Sequence, residues 1–108
     1  MTEIARESAD EIQRRLSSLP SWEVRDDALH REFRFGGFTD AFSFMTAVAF
    51  IAERMSHHPD WSNVYNTVTI RLSTHDVGGI SANDFAMAAE ISALYKRYAE
   101  HQTGADDL

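Results

Sequence analysis

The sequence predicts an α+β domain, a two-layer sandwich whose four-stranded antiparallel sheet carries helices on one face. Three observations predict it. Residues 3–17, 39–56 and 81–99 repeat apolar side chains with helical spacing. Between them, residues 21–36 and 61–74 alternate apolar and polar side chains with a period of two. The order is therefore helix, two strands, helix, two strands, helix, which suggests a four-stranded antiparallel sheet.

The first helix is expected over 3–17, where Ile4, Ser8, Ile12 and Leu16 recur at i+4 with Ala5, Ala9 and Leu19 alongside. Thr2 is its expected N-cap, Glu3 complements the dipole, and Leu19-Pro20 closes the segment. Trp22 and Val24 lead into Arg25-Asp26-Asp27-Ala28, which has turn composition. Leu29, Arg31, Phe33 and Phe35 then alternate with His30, Glu32 and Arg34, so 21–36 reads as a hairpin closed by Gly36-Gly37. Arg31 is the polar exception on the apolar face, and His30 is expected on the exposed one.

Thr39 is the expected cap of the central helix, with Asp40 in its first turn. Its apolar residues fall into two stripes, Phe42, Met45, Ala49 and Ala52, and Phe44, Val48, Ile51 and Met55. A helix apolar on two sides expects two covers, here the sheet and a partner subunit. Next come a short strand at 61–65, a tight turn near Asn66 and a longer strand at 67–74; a single bulged strand is the alternative. Ser81-Ala82-Asn83-Asp84 reads as a capping box with Asp in place of Glu, opening the last helix at 81. Gly78-Gly79 reads as the turn that positions this helix. Residues 1–100 are read as a single domain, and HQTGADDL at 101–108 as a polar, flexible tail.

Composition narrows the chemistry. The 108 residues suffice for one core, and seven Phe, three Tyr and two Trp are too many for a disordered chain. Without cysteine there is no disulfide framework, no thiolate nucleophile and no Cys-based metal site. A net charge of −7 opposes nucleic-acid binding, and no apolar run suits a membrane span. The acidic N-terminus resembles neither a signal nor a transit peptide, so a cytoplasmic protein is expected.

His57-His58-Pro59 follows the central helix and Thr74-His75-Asp76 follows the long strand, junctions where rigid scaffold meets loop. Imidazole titrates near neutrality, so two such groups on either side of a small molecule can give one proton and take another. An elimination of this kind needs no nucleophile, metal or redox cofactor. Two plainer readings stay open. A histidine at a helix C-terminus also simply complements the dipole. A metal would need the histidines with Asp60, Asp76 or Glu53, but HxH and HxxxH spacings are absent, so no metal is expected.

The run Glu53-Arg54-Met55-Ser56-His57-His58-Pro59, then Asn63-Val64-Tyr65-Asn66, then Leu72-Ser73-Thr74-His75 resembles the signature of the pterin-4a-carbinolamine dehydratases. The likeness extends to Trp22, the F-x-F strand, the F-x-F-M-T helix start and the G-[IL]-S-x-x-D cap at 79–84. The resemblance implies loss of water from a 4a-hydroxytetrahydropterin to give a quinonoid dihydropterin, recycling the cofactor of aromatic amino-acid hydroxylases. It implies catalytic roles for His57, His58 and His75, and substrate contacts from Glu53, Pro59, Thr74, Asp76, Val77, Asp84 and Trp22. Arg54 stands where lysine is commoner, and Val77 replaces a cysteine of the vertebrate members, leaving only backbone contact with substrate there. Vertebrate members also serve as dimerisation cofactors of a homeodomain transcription factor. A homodimer or homotetramer is expected, with a pterin as ligand and no cofactor. A non-catalytic assembly protein on the same fold is the competing expectation.

Overall fold

The computed structural model of the chain describes the backbone of residues 4–106 and the side chains of residues 4–99. Helix α1 (Ala9–Leu16) precedes strands β1 (Glu23–Arg25) and β2 (Ala28–Arg34); helix α2 (Phe38–Met55) precedes β3 (Asp60–Val64) and β4 (Thr67–Leu72); α3 (Ala82–Asp106) ends the fold. All strands pair antiparallel in the order β1-β2-β4-β3. This is the α+β sandwich that the alternating periods predict.

The two inner strands carry the apolar face. Leu29 pairs with Leu72, Arg31 with Ile70 and Phe33 with Val68. Against them α2 buries Ala41, Phe44, Val48 and Ala52, and α3 buries Phe85, Met87, Ala88 and Ile91. Phe33 is fully enclosed, its ring 5.8 Å from Trp22, 5.1 Å from Phe44 and 5.0 Å from Tyr95. On the opposite face Thr67, Thr69 and Arg71 are only half-buried, as expected for an antiparallel sheet covered on one side.

Two tight turns set the register. Asp26 and Asp27 both adopt positive φ, 53° and 60°, between the paired residues Arg25 and Ala28. That pattern suits a type I′ turn, whose twist matches the flanking strands. At the second hairpin Tyr65 takes φ 50°, and Asn63 Nδ2 donates to the carbonyls of Tyr65 and Thr67. The bulged-strand alternative is therefore not what forms.

The structure corrects several expectations. Helix α1 begins at Ala9, capped by Ser8, whose hydroxyl accepts from Glu11 N–H at 3.2 Å. Thr2 and Glu3, the expected cap and first turn, lie outside the described residues. Residues Ile4–Glu7 are not helical, because Arg6 bridges Ser81 and Glu7 N–H donates to the Ile80 carbonyl. Helix α2 is capped by Gly37 without a side-chain bond, so Thr39 is its second residue rather than its cap. His30 is partly covered rather than exposed, its side chain 15% accessible with Nδ1 3.6 Å from Glu23. Helix α3 is longer than the expected 81–99, continuing to Asp106 through a stretch that contains no proline to stop it. The side chain of His101 lies outside those described.

Of the two stripes of α2, Phe44 and Val48 from one and Ala52 from the other are buried in the core. Phe42 remains 55% exposed, with Phe38 and Phe50 exposed nearby at 49% and 72%.

Candidate active site

The end of α2 explains the position of His57 and His58. Ser56 adopts the left-handed conformation (φ 51°, ψ 43°), and its N–H donates to Ala52 and Glu53. His57 N–H reaches back to the Ala52 carbonyl at 3.0 Å. This bonding closes the helix as a Schellman motif does, and Pro59 then cannot extend it. The chain turns sharply, and the two imidazoles leave on different sides. The His57 side chain is 11% accessible, whereas that of His58 is 64% accessible.

The loop after β4 is built on Thr74. Its N–H donates to the Gly79 carbonyl at 2.7 Å, and its carbonyl accepts from Val77 N–H at 3.1 Å. A single 3-10 turn, His75–Val77, is thereby held above the sheet end, and Gly78 completes it at φ 65°. That left-handed position suits glycine. His75 and Asp76 are exposed on this turn, and Val77 is half-buried.

The start of α3 joins the two junctions. Asp84 is fully buried. Its Oδ2 accepts from Ser81 N–H at 2.9 Å and from the Thr74 hydroxyl at 2.8 Å. Ser81 Oγ accepts from Asn83 N–H and lies 2.5 Å from Thr74 Oγ1. The Asp84 half of the box read from the sequence is thus formed, while the Ser81 hydroxyl takes Asn83 N–H rather than Asp84 N–H. The other carboxylate oxygen, Oδ1, lies 2.5 Å from Nε2 of His57. A carboxylate only accepts, so Nε2 carries the proton and Nδ1 is the nitrogen left for chemistry. The contact also satisfies a buried charge that would otherwise be costly.

His58 makes a separate pair with Glu53, Nε2 to Oε1 at 2.7 Å, and both side chains are exposed. Such a pair adds little stability and leaves both groups accessible.

Of the residues singled out in the sequence, the structure bonds His57, Thr74 and Asp84 into one cluster, and the chain itself sets His75 beside it. Along the chain, Glu53, His58 and Pro59 flank His57, and Asp76 and Val77 follow His75. Trp22 lies elsewhere. It is 6% exposed, and its indole N–H donates to Ser92 Oγ at 2.8 Å. Ser92 is two turns along α3 from Asp84, about 12 Å of helix. Ser81 belongs to the cluster but is legible in the sequence only as a cap, since its bond to Thr74 crosses between two elements. Among the described residues no group of three His, Cys, Asp or Glu side chains is arranged to hold a metal ion.

The arrangement offers a donor-fixed imidazole, a second imidazole on a stitched loop and an exposed histidine–glutamate pair. It can exchange protons with a small molecule bound at the helix end.

Comparison with known proteins adds the family context. The profile of the family described as pterin 4 alpha carbinolamine dehydratase matches residues 5–94. A Solibacter usitatus protein named "Putative pterin-4-alpha-carbinolamine dehydratase" is 53% identical over 87 residues, covering 81% of this chain and 92% of that one. A Prochlorococcus marinus protein of the same name is 47% identical over 88 residues, covering 82% and 92%. Among solved structures, a transcriptional coactivator/pterin dehydratase from Brucella melitensis aligns with TM-score 0.81 and 37% identity, over 83% of this chain and 98% of that one. A pterin dehydratase-like protein described as a RuBisCO assembly factor in the alpha-carboxysome aligns with TM-score 0.57 and 25% identity, over 68% and 86%.

Proposed function

Because the chain belongs to the pterin 4 alpha carbinolamine dehydratase family, we propose that it dehydrates a 4a-hydroxytetrahydropterin to the quinonoid dihydropterin by histidine acid–base catalysis. The observation that carries the reading is the bond between buried Asp84 and His57, next to the loop that bears His75.

In this proposal the C4a–O bond breaks as the departing hydroxyl takes a proton from one imidazolium and leaves as water. N5 gives its proton to a neutral imidazole, and the freed electron pair forms the C4a–N5 double bond. One proton is given and one is taken, so no oxidant, reductant or metal enters the balance. His57, through Nδ1, and His75 exchange these protons, and His58 binds the pterin and shares the acid role. Positioned acid–base groups of this kind contribute about 10²–10⁴-fold each. Glu53, Pro59, Thr74, Asp76 and Val77 surround the substrate, Val77 through its backbone, while Asp84 orients His57. Trp22 stands apart from these groups, so Trp22→Phe, which keeps a ring and removes the donor, tests its part separately.

Stopped-flow dehydration of a freshly generated carbinolamine, measured against the spontaneous rate, is the direct test. Wild-type protein is expected to accelerate it, and His57→Ala and His75→Ala to lose most of that acceleration. Wild-type rates in both His75→Ala and His58→Ala would overturn the assignment of roles.

The likeness to a protein described as a RuBisCO assembly factor keeps a second reading in view, a non-catalytic assembly protein on this fold. A wild-type protein that leaves the spontaneous rate unchanged would favour it. We further propose a homodimer or homotetramer formed through the exposed phenylalanines of α2, which light scattering would contradict by finding a monomer at micromolar concentration. No helix of the described residues is long and apolar enough to cross a membrane. A cytoplasmic site of action, in recycling the cofactor of aromatic amino-acid hydroxylases, fits this reading.

A further inference from the structure

Two turns along α3 from Asp84, at Ser92, a cavity of about 440 Å³ opens between the end of α1, the segment before β1, and α3. Its polar lining comes from Ser18, Ser21, Arg31, Ser92, Tyr95 and Lys96, and among the described residues it contains no carboxylate. In a chain of net charge −7 that local composition is unusual.

Arg31 is the group that gives the cavity its character. It takes part in none of the ion pairs among the described residues, although other arginines from Arg6 to Arg71 each face a carboxylate. Its guanidinium lies over the rings of Phe33 and Tyr95, 4.5 Å and 5.1 Å from their centroids. Those rings compensate part of the charge, but a ring face accepts none of the in-plane N–H bonds. Among the described residues its side chain makes one hydrogen bond, from Nη1 to Ser92 Oγ at 3.2 Å, and its Nε is enclosed without a partner. Burial pushes the group below its ordinary pKa, yet an arginine stays charged near neutrality. A half-buried, unpaired guanidinium is costly unless an anion meets it.

Ser92 adds a second donor. Its Oγ accepts from both Trp22 Nε1 and Arg31 Nη1, so its own hydroxyl proton is left to point elsewhere. Lys96, one turn further along α3, supplies an exposed ammonium at the mouth. Guanidinium, hydroxyl and ammonium lining one cavity form a donor set for a flat or tetrahedral oxyanion.

We propose that this cavity is a second ligand site, distinct from the histidine cluster, and that it binds the carboxylate or phosphate group of a small molecule through Arg31, Ser92 and Lys96.

Trp22 is a built-in reporter, because its indole N–H shares Ser92 with Arg31; Trp61 on β3 is the internal control. Titrations of ¹⁵N-labelled protein with inorganic phosphate and, separately, acetate are run at constant ionic strength set by chloride. The expected result is a saturable shift of the Trp22 indole and Arg31 Nε–H signals, with Trp61 unmoved. Saturation by phosphate alone assigns a phosphoryl ligand, and saturation by acetate a carboxylate. Arg31→Met is expected to weaken binding roughly tenfold or more, the loss of a charge-assisted hydrogen bond. Lys96→Ala, an exposed change that leaves folding intact, is expected to weaken it several-fold. Shifts that rise linearly without saturation, move both tryptophans alike, or keep wild-type affinity in Lys96→Ala would overturn the proposal.

Discussion

One buried carboxylate serves two helices: Asp84 holds Nε2 of His57 at 2.5 Å with Oδ1, while its Oδ2 caps the start of α3 through Ser81 N–H at 2.9 Å. The cap that begins α3 therefore also fixes the imidazole at the end of α2. Asp84→Asn separates the two tasks. The amide oxygen can still accept from Ser81 and Thr74, so the fold is expected to survive with a loss of about 1–2 kcal/mol. The amide NH₂ then faces Nε2, forces the proton onto Nδ1 and disfavours the imidazolium. Dehydratase activity is expected to fall roughly 100-fold, the contribution of one positioned acid–base group. A Tm series with stopped-flow rates checks both parts, and an unchanged rate would dissociate His57 from the reaction.

Thr74 tests the same cluster from the loop side. Its hydroxyl is buried and touches both Asp84 and Ser81. Thr74→Val keeps the shape and leaves Asp84 Oδ2 short of one donor. The expected cost is about 1.5–3 kcal/mol, that of one hydrogen bond lost to a carboxylate whose Oδ2 keeps the Ser81 N–H. Thr74→Ser keeps the hydroxyl and is expected to recover most of it. Chemical denaturation of the two variants side by side makes the comparison, and equal losses would show that the methyl group matters rather than the bond.

These contacts mark where sequence reasoning stops. Ser81-Ala82-Asn83-Asp84 is readable as a cap because its bonds are local. The bond from Asp84 to His57 spans 27 residues of chain and depends on how α2 and α3 pack, which no period reveals. The same limit explains the N-terminus. Ile4, Ser8 and Ile12 keep helical spacing, but pairing of residues 6–7 with 80–81 takes that segment out of the helix, and the start falls to Ser8. The signal there is Ser8-Ala9-Asp10-Glu11, a local box masked by a periodicity that runs through it. Arg31 stands out in the sequence as a charge on an apolar face. Its reason, the rings of Phe33 and Tyr95 and the hydroxyl of Ser92, comes from three different places in the chain.

The first hairpin offers a stability test away from the cluster. Asp26 and Asp27 both sit in the left-handed region, where a Cβ is unfavourable even though Asp tolerates it better than most. Asp27→Gly supplies the residue that the second position of a type I′ turn prefers. It also removes the ion pair with Arg6, which is exposed on both sides and contributes little. A net gain of about 0.5 kcal/mol is expected, a rise of roughly 2–4 °C in Tm. Thermal unfolding by circular dichroism reads it, and a fall in Tm would mean that the Arg6 contact outweighs the turn.

Helix α1 carries a pH dependence whose sign can be worked out. Glu11 accepts two hydrogen bonds from Arg14, and this pairing holds its carboxyl below the ordinary range. A carboxylate with a depressed folded-state pKa contributes its stabilisation in full above the unfolded value, about 4.3 for Glu. The contribution is lost as pH falls through the lower, folded value. Arg14 is exposed and the Glu11 side chain is half-buried at the surface, so the pair's effect is local and weakened by salt. Amide exchange at Ile12, whose N–H donates to the Ser8 carbonyl at 2.9 Å, is the local readout. After correction for intrinsic exchange, its protection is expected to hold from neutral pH to about 4.3 and to drop below it. Glu11→Gln should give the lower protection at every pH, and high salt should shrink the difference. Protection that is unchanged down to pH 2, or that falls equally in Glu11→Gln, would place the acid sensitivity in another group.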